Sequence, residues 1–299
     1  MDKPPPYIPL PGGITMAKLL LGKEVTEALN AELKIRTAAL RARGIIPTLA
    51  IIRLGDDPSD LSYERGALKR ADAVGVAVRQ FILPREAAAE EVLAVIDGIN
   101  ADPAIHGCLL FRPLPAHLKD RQQEICNRLD PKKDVDCMTH ISSAGVFEGL
   151  ELGYPPCTPT ACMEVLRHYG IDCSGKNVAV IGRSLVVGKP VAMMLMGENA
   201  TVTVCHTKTA DTAAVCQRAD IIVSAAGVLG SLTADFVRPG QTVIDVSINW
   251  DESKGSIAGD AKFDEVAAIV DAITPVPGGV GAVTTSVLMK HVILSAEKN

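Results

Sequence analysis

The run Asn177 to Ile181 breaks into Gly182-Arg183-Ser184-Leu185-Val186-Val187-Gly188-Lys189-Pro190 and then into the helical segment 191–196, VAMMLM. A tight strand-to-helix turn of this kind presents backbone amides and the positive end of a helix, the chemistry that holds a pyrophosphate. The match to G-x-G-x-x-G is imperfect, since Ser184 replaces the second glycine and the last interval is one residue longer. Taken alone, the loop serves equally as an ordinary βα turn. The end of the next strand discriminates better. An NAD site places a carboxylate there, about 20 residues on, to accept from the ribose 2′-hydroxyl, whereas a 2′-phosphate calls for donors or cations. The chain reads Cys205-His206-Thr207-Lys208-Thr209 and has no acid; Arg183 adds a second cation, which favours NADP over NAD.

Two further segments carry candidate groups. Asp130-Pro-Lys-Lys-Asp134-Val-Asp136 is a polar turn whose two last acids can accept paired N–H groups or cap helices. Pro277-Gly278-Gly279-Val280-Gly281 lets backbone approach a ligand closely, or closes a tight turn. The eight cysteines lack a C-x-x-C pair or a matching histidine cluster, so no metal site is expected. Cys108 and Cys205 lie in apolar runs and read as buried structural thiols.

These groups sit in a chain of 299 residues, long enough for two cores. With 22% charged and 47% apolar residues it has the balance of a globular protein. The net charge of -5 leaves no basic excess for a phosphate backbone, which argues against nucleic acid. No run approaches the roughly 18 uncharged apolar residues of a membrane span, and no basic region followed by an apolar stretch opens the chain. A cytoplasmic protein is expected. Residues 1–15, rich in proline, read as an extended leader.

Periodicity predicts a helix over 19–43, a strand over 47–54, a helix over 62–74, a strand over 76–83, a helix over 86–100 and a strand over 105–111. A helix over 121–129 follows, and the proline-bearing stretch 149–159 is the linker candidate. Beyond it, 177–181, 201–205, 221–225, 242–246 and 272–274 are strands separated mostly by helical stretches, and 285–297 is a last helix. Alternation of this kind predicts two α/β domains, the second a Rossmann-like doubly wound parallel sheet. The expected domains are 16–150, with the helix 285–299 packing on it, and 151–284.

The strings D-P-K-K-D-V-D (130–136), P-C-T-P (156–159), G-R-S-L-V-V-G-K-P (182–190), C-H-T-K-T (205–209), I-D-V-S-I-N (244–249) and T-P-V-P-G-G-V-G (274–281) occur in this order. Together they closely resemble the methylenetetrahydrofolate dehydrogenase/cyclohydrolase family, from about Leu19 to the C-terminus. The resemblance implies two α/β domains around a cleft, with folate on the first domain, NADP on the second, and a homodimer. It implies oxidation of 5,10-methylenetetrahydrofolate to the methenyl cation, which most members then hydrolyse to 10-formyltetrahydrofolate.

By position, Tyr63 matches the tyrosine that packs on folate and Asp136 the aspartate that binds the pterin, the two implied catalytic residues. The family lysine one turn after the tyrosine is replaced by Ala67, and the glutamine bonded to it by Phe111. Lys69, about 600° of helix rotation from Tyr63, points elsewhere. Arg112 brings a cation that could hold the glutamate tail of folate, or is a surface cation beside a turn. The implied substrate contacts are Tyr63, Phe111, Arg112, Asp136, Pro277, Gly278 and Gly279. The implied cofactor contacts are Thr158, Gly182, Arg183, Ser184, Val186, Gly188, Thr207, Ala226, Val246, Ile248 and Thr284. Cys137, Ser247 and Ala282 depart from the family's glycine, glycine and proline. The leading expectation is a dehydrogenase with weak or absent cyclohydrolase activity. The alternatives are a bifunctional enzyme, a relative with an altered pterin substrate, and a non-catalytic binder.

Overall fold

A computed structural model describes residues 17–298. The leader expected over 1–15 lies outside the described residues. The described residues divide into two compact units, one made of residues 27–157 and 285–298, the other of residues 17–26 and 158–284. Residues 17–26 thus group with the later half. Their strand β1 (Lys18–Leu19) pairs in parallel with Ala272 and Ile273, a partner that local periodicity does not reveal. The helix predicted over 19–43 is shorter at its start: helix α1 begins at Gly22 and runs to Ala42, and Leu19 belongs to β1.

In the 27–157 unit, strand β2 (Thr48–Leu54) is followed by helix α2 (Pro58–Val74), strand β3 (Ala77–Leu83), helix α3 (Ala89–Ala101) and strand β4 (Gly107–Leu110). The three strands form a parallel sheet in the order β3-β2-β4. The central strand β2 is buried along its whole length, as its nearly continuous apolar run requires. Helix α2 starts with Asp57 accepting from the Ser59 amide at 2.9 Å and Pro58 in its first turn. It stops at Gly75, whose φ of 81° is the left-handed cap a Cβ disfavours. Ile52, Val92, Ile96, Ile99, Leu110 and Ile125 fill the core between sheet and helices. The short helix α4 (Gln122–Asn127) and helix α5 (His140–Glu148) follow. Helix α5 has no counterpart in the periodicity: its N-cap is Thr139, whose side chain accepts from the Ser142 amide and is itself held by Asp134.

Helix α6 (Cys157–His168) opens inside the segment read as linker. The 158–284 unit then alternates strand β5 (Asn177–Ile181), helix α7 (Gly188–Gly197), strand β6 (Thr201–Cys205), helix α8 (Thr212–Arg218), strand β7 (Ile221–Ser224) and strand β8 (Thr242–Asp245). An antiparallel hairpin of β9 (Asn249–Asp251) and β10 (Ser256–Ala258), a short helix α9 (Phe263–Ala267) and strand β11 (Ala272–Ile273) complete it. The six-stranded sheet is parallel throughout, in the order β1-β11-β8-β7-β5-β6. Chain direction across the sheet reverses between β5 and β7, the switch point at which a doubly wound sheet opens a crevice. Ala179, Ile222, Val243 and Ile273 lie in one buried cluster on this sheet.

Helix α10 (Thr284–Lys298) begins as the chain returns to the 27–157 unit. There Glu297 takes the Arg36 Nε at 2.9 Å and Ser286 Oγ bonds Asn30 at 3.1 Å, tying α10 to α1. Among the described residues no helix is long and apolar enough to cross a membrane. All eight cysteines are free thiols and seven are buried, Cys108 and Cys205 completely.

Candidate active site

The string 130–136 looks like a charged cluster, but the fold takes up most of its charge. Asp130 accepts from the Lys132 amide at 2.9 Å. Lys133 is buried, and its Nζ donates to the carbonyls of Ile99, Asn100 and Asp102 at 2.6, 3.1 and 2.7 Å, satisfying the C-terminal end of α3. Asp134 is fully buried and accepts from the amides of Met138 and Thr139, each at 2.9 Å, and from the hydroxyls of Thr139 and Ser142. It is the anchor of α5. Asp136 is the acid left over, with 27% of its side chain exposed. Its Oδ1 accepts from the Cys157 amide at 3.1 Å, and its Oδ2 lies 3.7 Å from Nη2 of Arg112. Burial pushes the Asp136 carboxyl above the usual range, while Arg112 pulls it down.

Around this pair stand the aromatic groups. Tyr63 on α2 and Phe111 after β4 meet edge to face, with centroids 5.9 Å apart at 85°. Ala67, one turn after Tyr63 on the same face, is fully buried. Glu64 beside Tyr63 went unread in the sequence. It is buried, accepts from Arg53 Nε at 2.9 Å and Gln80 Nε2 at 2.6 Å, and so fixes the rotation of α2 against β2 and β3. Arg53, a charge inside an otherwise apolar strand, was the available signal. Cys137 adopts φ 55°, the left-handed region a glycine would enter freely, and burial raises its thiol to about 12.

The 158–284 unit holds the other candidates. Gly182 and Gly188 are required by backbone crowding: a Cβ at Gly182 would meet the Ala225 carbonyl oxygen at 2.2 Å, and one at Gly188 would meet the Gly182 carbonyl oxygen at the same distance. Ser184 Oγ accepts from the amides of Val187 and Gly188 at 3.0 and 3.3 Å and so acts as an internal cap of α7. That takes up two amides which the sequence motif offered to a phosphate. Arg183, Leu185 and Val186 remain exposed on the turn. At the end of β6 the turn closes on itself, with the His206 amide bonded to Thr209 Oγ1 at 2.9 Å and His206 Nδ1 accepting from the Lys208 amide at 3.1 Å. Thr207 and Lys208 face out.

Val246, Ile248, Pro277, Gly278 and Gly279 line one cavity of about 270 Å³. The loop 277–281 is held from below: the Gly22 amide donates to the Gly278 carbonyl at 2.8 Å, and a Cβ at Gly22 would meet the Gly279 oxygen at 2.1 Å. Ala282 keeps an amide that bonds the Gly279 carbonyl at 3.1 Å, a bond a proline there could not make. Ala226 is exposed after β7. Thr158 lies in α6 and Thr284 opens α10; Thr284 Oγ1 donates to the Gly281 carbonyl at 3.1 Å. Tyr63, Phe111, Arg112 and Asp136 therefore belong to one unit, and Pro277, Gly278, Gly279 and every cofactor candidate to the other. Among the described residues no group of three or more His, Cys, Asp or Glu side chains is placed to hold a metal.

Residues 20–136 match the tetrahydrofolate dehydrogenase/cyclohydrolase catalytic domain, and residues 156–299 its NAD(P)-binding domain. A bifunctional protein FolD of Carboxydothermus hydrogenoformans is 48% identical over 283 residues, 94% of this chain and 98% of that one. The chain belongs to the tetrahydrofolate dehydrogenase/cyclohydrolase family. The bifunctional FolD of Campylobacter jejuni superposes with a TM-score of 0.90 at 39% identity, covering 94% of this chain and 99% of its own. The methylenetetrahydrofolate dehydrogenase-cyclohydrolase of Trypanosoma brucei, solved with NADP and an inhibitor, gives 0.88 at 34% identity over 95% and 98% of the two chains. The family's two α/β domains are thus present, with a parallel sheet in the NAD(P)-binding one.

Proposed function

We propose that this family member oxidises 5,10-methylenetetrahydrofolate to the methenyl cation with NADP, and that it hydrolyses that cation weakly or not at all. When bound, NADP supplies the hydride acceptor. The chain's own residues orient and hold. Gly182, Arg183, Ser184, Val186 and Gly188 serve the phosphates, and Thr207 with Arg183 the 2′-phosphate end. Thr158, Ala226, Val246, Ile248 and Thr284 are the further cofactor contacts. The absence of any acid in the turn 206–209, beside exposed Arg183 and Lys208, supports NADP.

On the folate side, Tyr63 stacks, Asp136 accepts from the pterin N–H groups, and Arg112 and Phe111 complete this unit's contacts. Hydride transfer is chiefly a positioning task, and these groups suffice for it. Hydrolysis also moves protons around an attacking water and needs a titratable group. The observation that carries the reading is the pair Ala67 and Phe111. One is a buried methyl, the other a ring edge-on to Tyr63, and neither moves a proton. Replacing both members of a lysine-glutamine pair leaves no buried amide orphaned, so the site is repacked. The Arg112 guanidinium offers N–H donors and no acceptor, which suits it to holding an anion and not to accepting a proton from water.

One observation favours the bifunctional reading: Asp136, whose carboxyl burial raises, is a candidate proton carrier. A homodimer in the cytoplasm completes the proposal, by resemblance to the family; a monomer in size-exclusion chromatography contradicts it. The test of cofactor and substrate together is turnover of methylenetetrahydrofolate with NADP and with NAD at equal concentration, in wild type and Arg183→Ala. NADP is expected to lead, and Arg183→Ala to lose NADP affinity. Equal turnover with NAD and unchanged NADP binding in the variant reject the reading.

A further inference from the structure

Asp260 is fully buried just beyond β10, yet six donors converge on its carboxylate. Oδ2 accepts from Ser224 Oγ at 3.0 Å, the Ala226 amide at 2.8 Å, the Gly227 amide at 3.3 Å and Ser247 Oγ at 2.8 Å. Oδ1 accepts from the Val228 amide at 2.8 Å and Asn249 Nδ2 at 3.1 Å. A carboxylate offers about four lone-pair directions, so this one is saturated. Its own backbone is pinned as well, the Asp260 amide to Asp245 Oδ1 at 3.2 Å and its carbonyl to the Leu232 amide at 3.0 Å.

Three consecutive amides, of Ala226, Gly227 and Val228, turn inward to this single group. The loop's other face is left to solvent, with Val228 56% exposed. Ser247 doubles the constraint, because its Oγ donates to Asp260 while accepting from the Gly227 amide at 3.1 Å. The glycine usual at this position offers neither bond. The loop after β7 and the loop after β8 are thereby locked to one another. In a doubly wound sheet the dinucleotide lies across the switch point, its adenosine half at the β5–β6 side and its other half at the β7 side.

We propose that Asp260, with Ser247, is a positioning residue that fixes the loop 226–228 for the nicotinamide half of the cofactor and leaves the adenosine half untouched. The inference rests on the NADP reading above. The test is titration of wild type, Asp260→Asn and Ser247→Ala with NADP and with 2′,5′-ADP, which carries the adenosine half alone. Asp260→Asn turns one acceptor oxygen into a donor facing donors. It is expected to weaken NADP by about tenfold and 2′,5′-ADP by less than about twofold, the scale of one or two lost hydrogen bonds. Ser247→Ala, a milder change that keeps the carboxylate, is expected to show the same split at about threefold. Equal weakening of both ligands makes the node merely structural and overturns the proposal, as does no weakening of either. Wild-type protein that binds neither ligand overturns the NADP reading itself and the inference with it.

Discussion

Placing a lysine at 67 and a glutamine at 111 tests the site by energy as well as by rate. Ala67 has no exposed surface, so Ala67→Lys forces an ammonium into a fully enclosed position. Buried lysines shift by up to 3–5 pKa units, so about 4 kcal/mol or more of stability is at stake when no acceptor is supplied. Phe111→Gln removes the edge contact with Tyr63 and some apolar burial, together about 2 kcal/mol. If the two new groups meet, a charged hydrogen bond returns about 1.5–3 kcal/mol, and the double variant is more stable than the sum of the singles by that amount. Urea unfolding of the four proteins measures the coupling. Decay of methenyltetrahydrofolate measures the chemistry, and a positioned acid-base group should raise it by about 10²-fold or more over wild type. A folded double variant with strictly additive losses and no gain in decay refutes the placement of these two residues as partners.

Two further results follow from the charges. Arg112→Leu removes the cation 3.7 Å from Asp136 and leaves burial opposed only by the hydrogen bonds from Cys157, so Asp136 takes up its proton at a higher pH than in wild type. Folate KM in the dehydrogenase assay should begin to rise earlier as pH falls, with little change in kcat; an identical profile contradicts the pairing. In the NAD(P)-binding unit, burial raises the Asp245 carboxyl to about 6 against three backbone amides that lower it. The native state therefore holds a proton that the unfolded chain has lost between about pH 4 and 6. This group's contribution makes stability fall as pH rises through that window, by up to about 3 kcal/mol. Asp245→Asn should flatten that fall in urea unfolding, and an unchanged slope contradicts the assignment.

Apart from β1, the strands of the two parallel sheets were legible because each is a short apolar run between turn signals, and all five strands read in the second half lie within a residue of their observed ends. What escaped was set by distant partners. β1 exists because β11 lies beside it, and α5 because Asp134 reaches forward to hold its N-cap, Thr139. The hairpin β9–β10 has too little alternation in three-residue strands to read. The candidate site was legible as residue types but not as roles. Asp134 and Asp136 look alike in the turn 130–136, and only the fold distinguishes the buried anchor from the half-exposed acid. Ser184 also caps its own helix, a role its place in the loop motif does not disclose. Asp260 gave no local signal beyond Gly259 before it, where a Cβ would meet Asp245 Oδ2 at 2.0 Å.

Decay of added methenyltetrahydrofolate separates an enzyme that oxidises without hydrolysing from one that does both. Enzyme that forms reduced NADP from methylenetetrahydrofolate should leave methenyltetrahydrofolate decaying at the rate seen in buffer. Decay that accelerates in proportion to enzyme concentration rules out the loss of hydrolysis and returns this chain to the bifunctional members of its family.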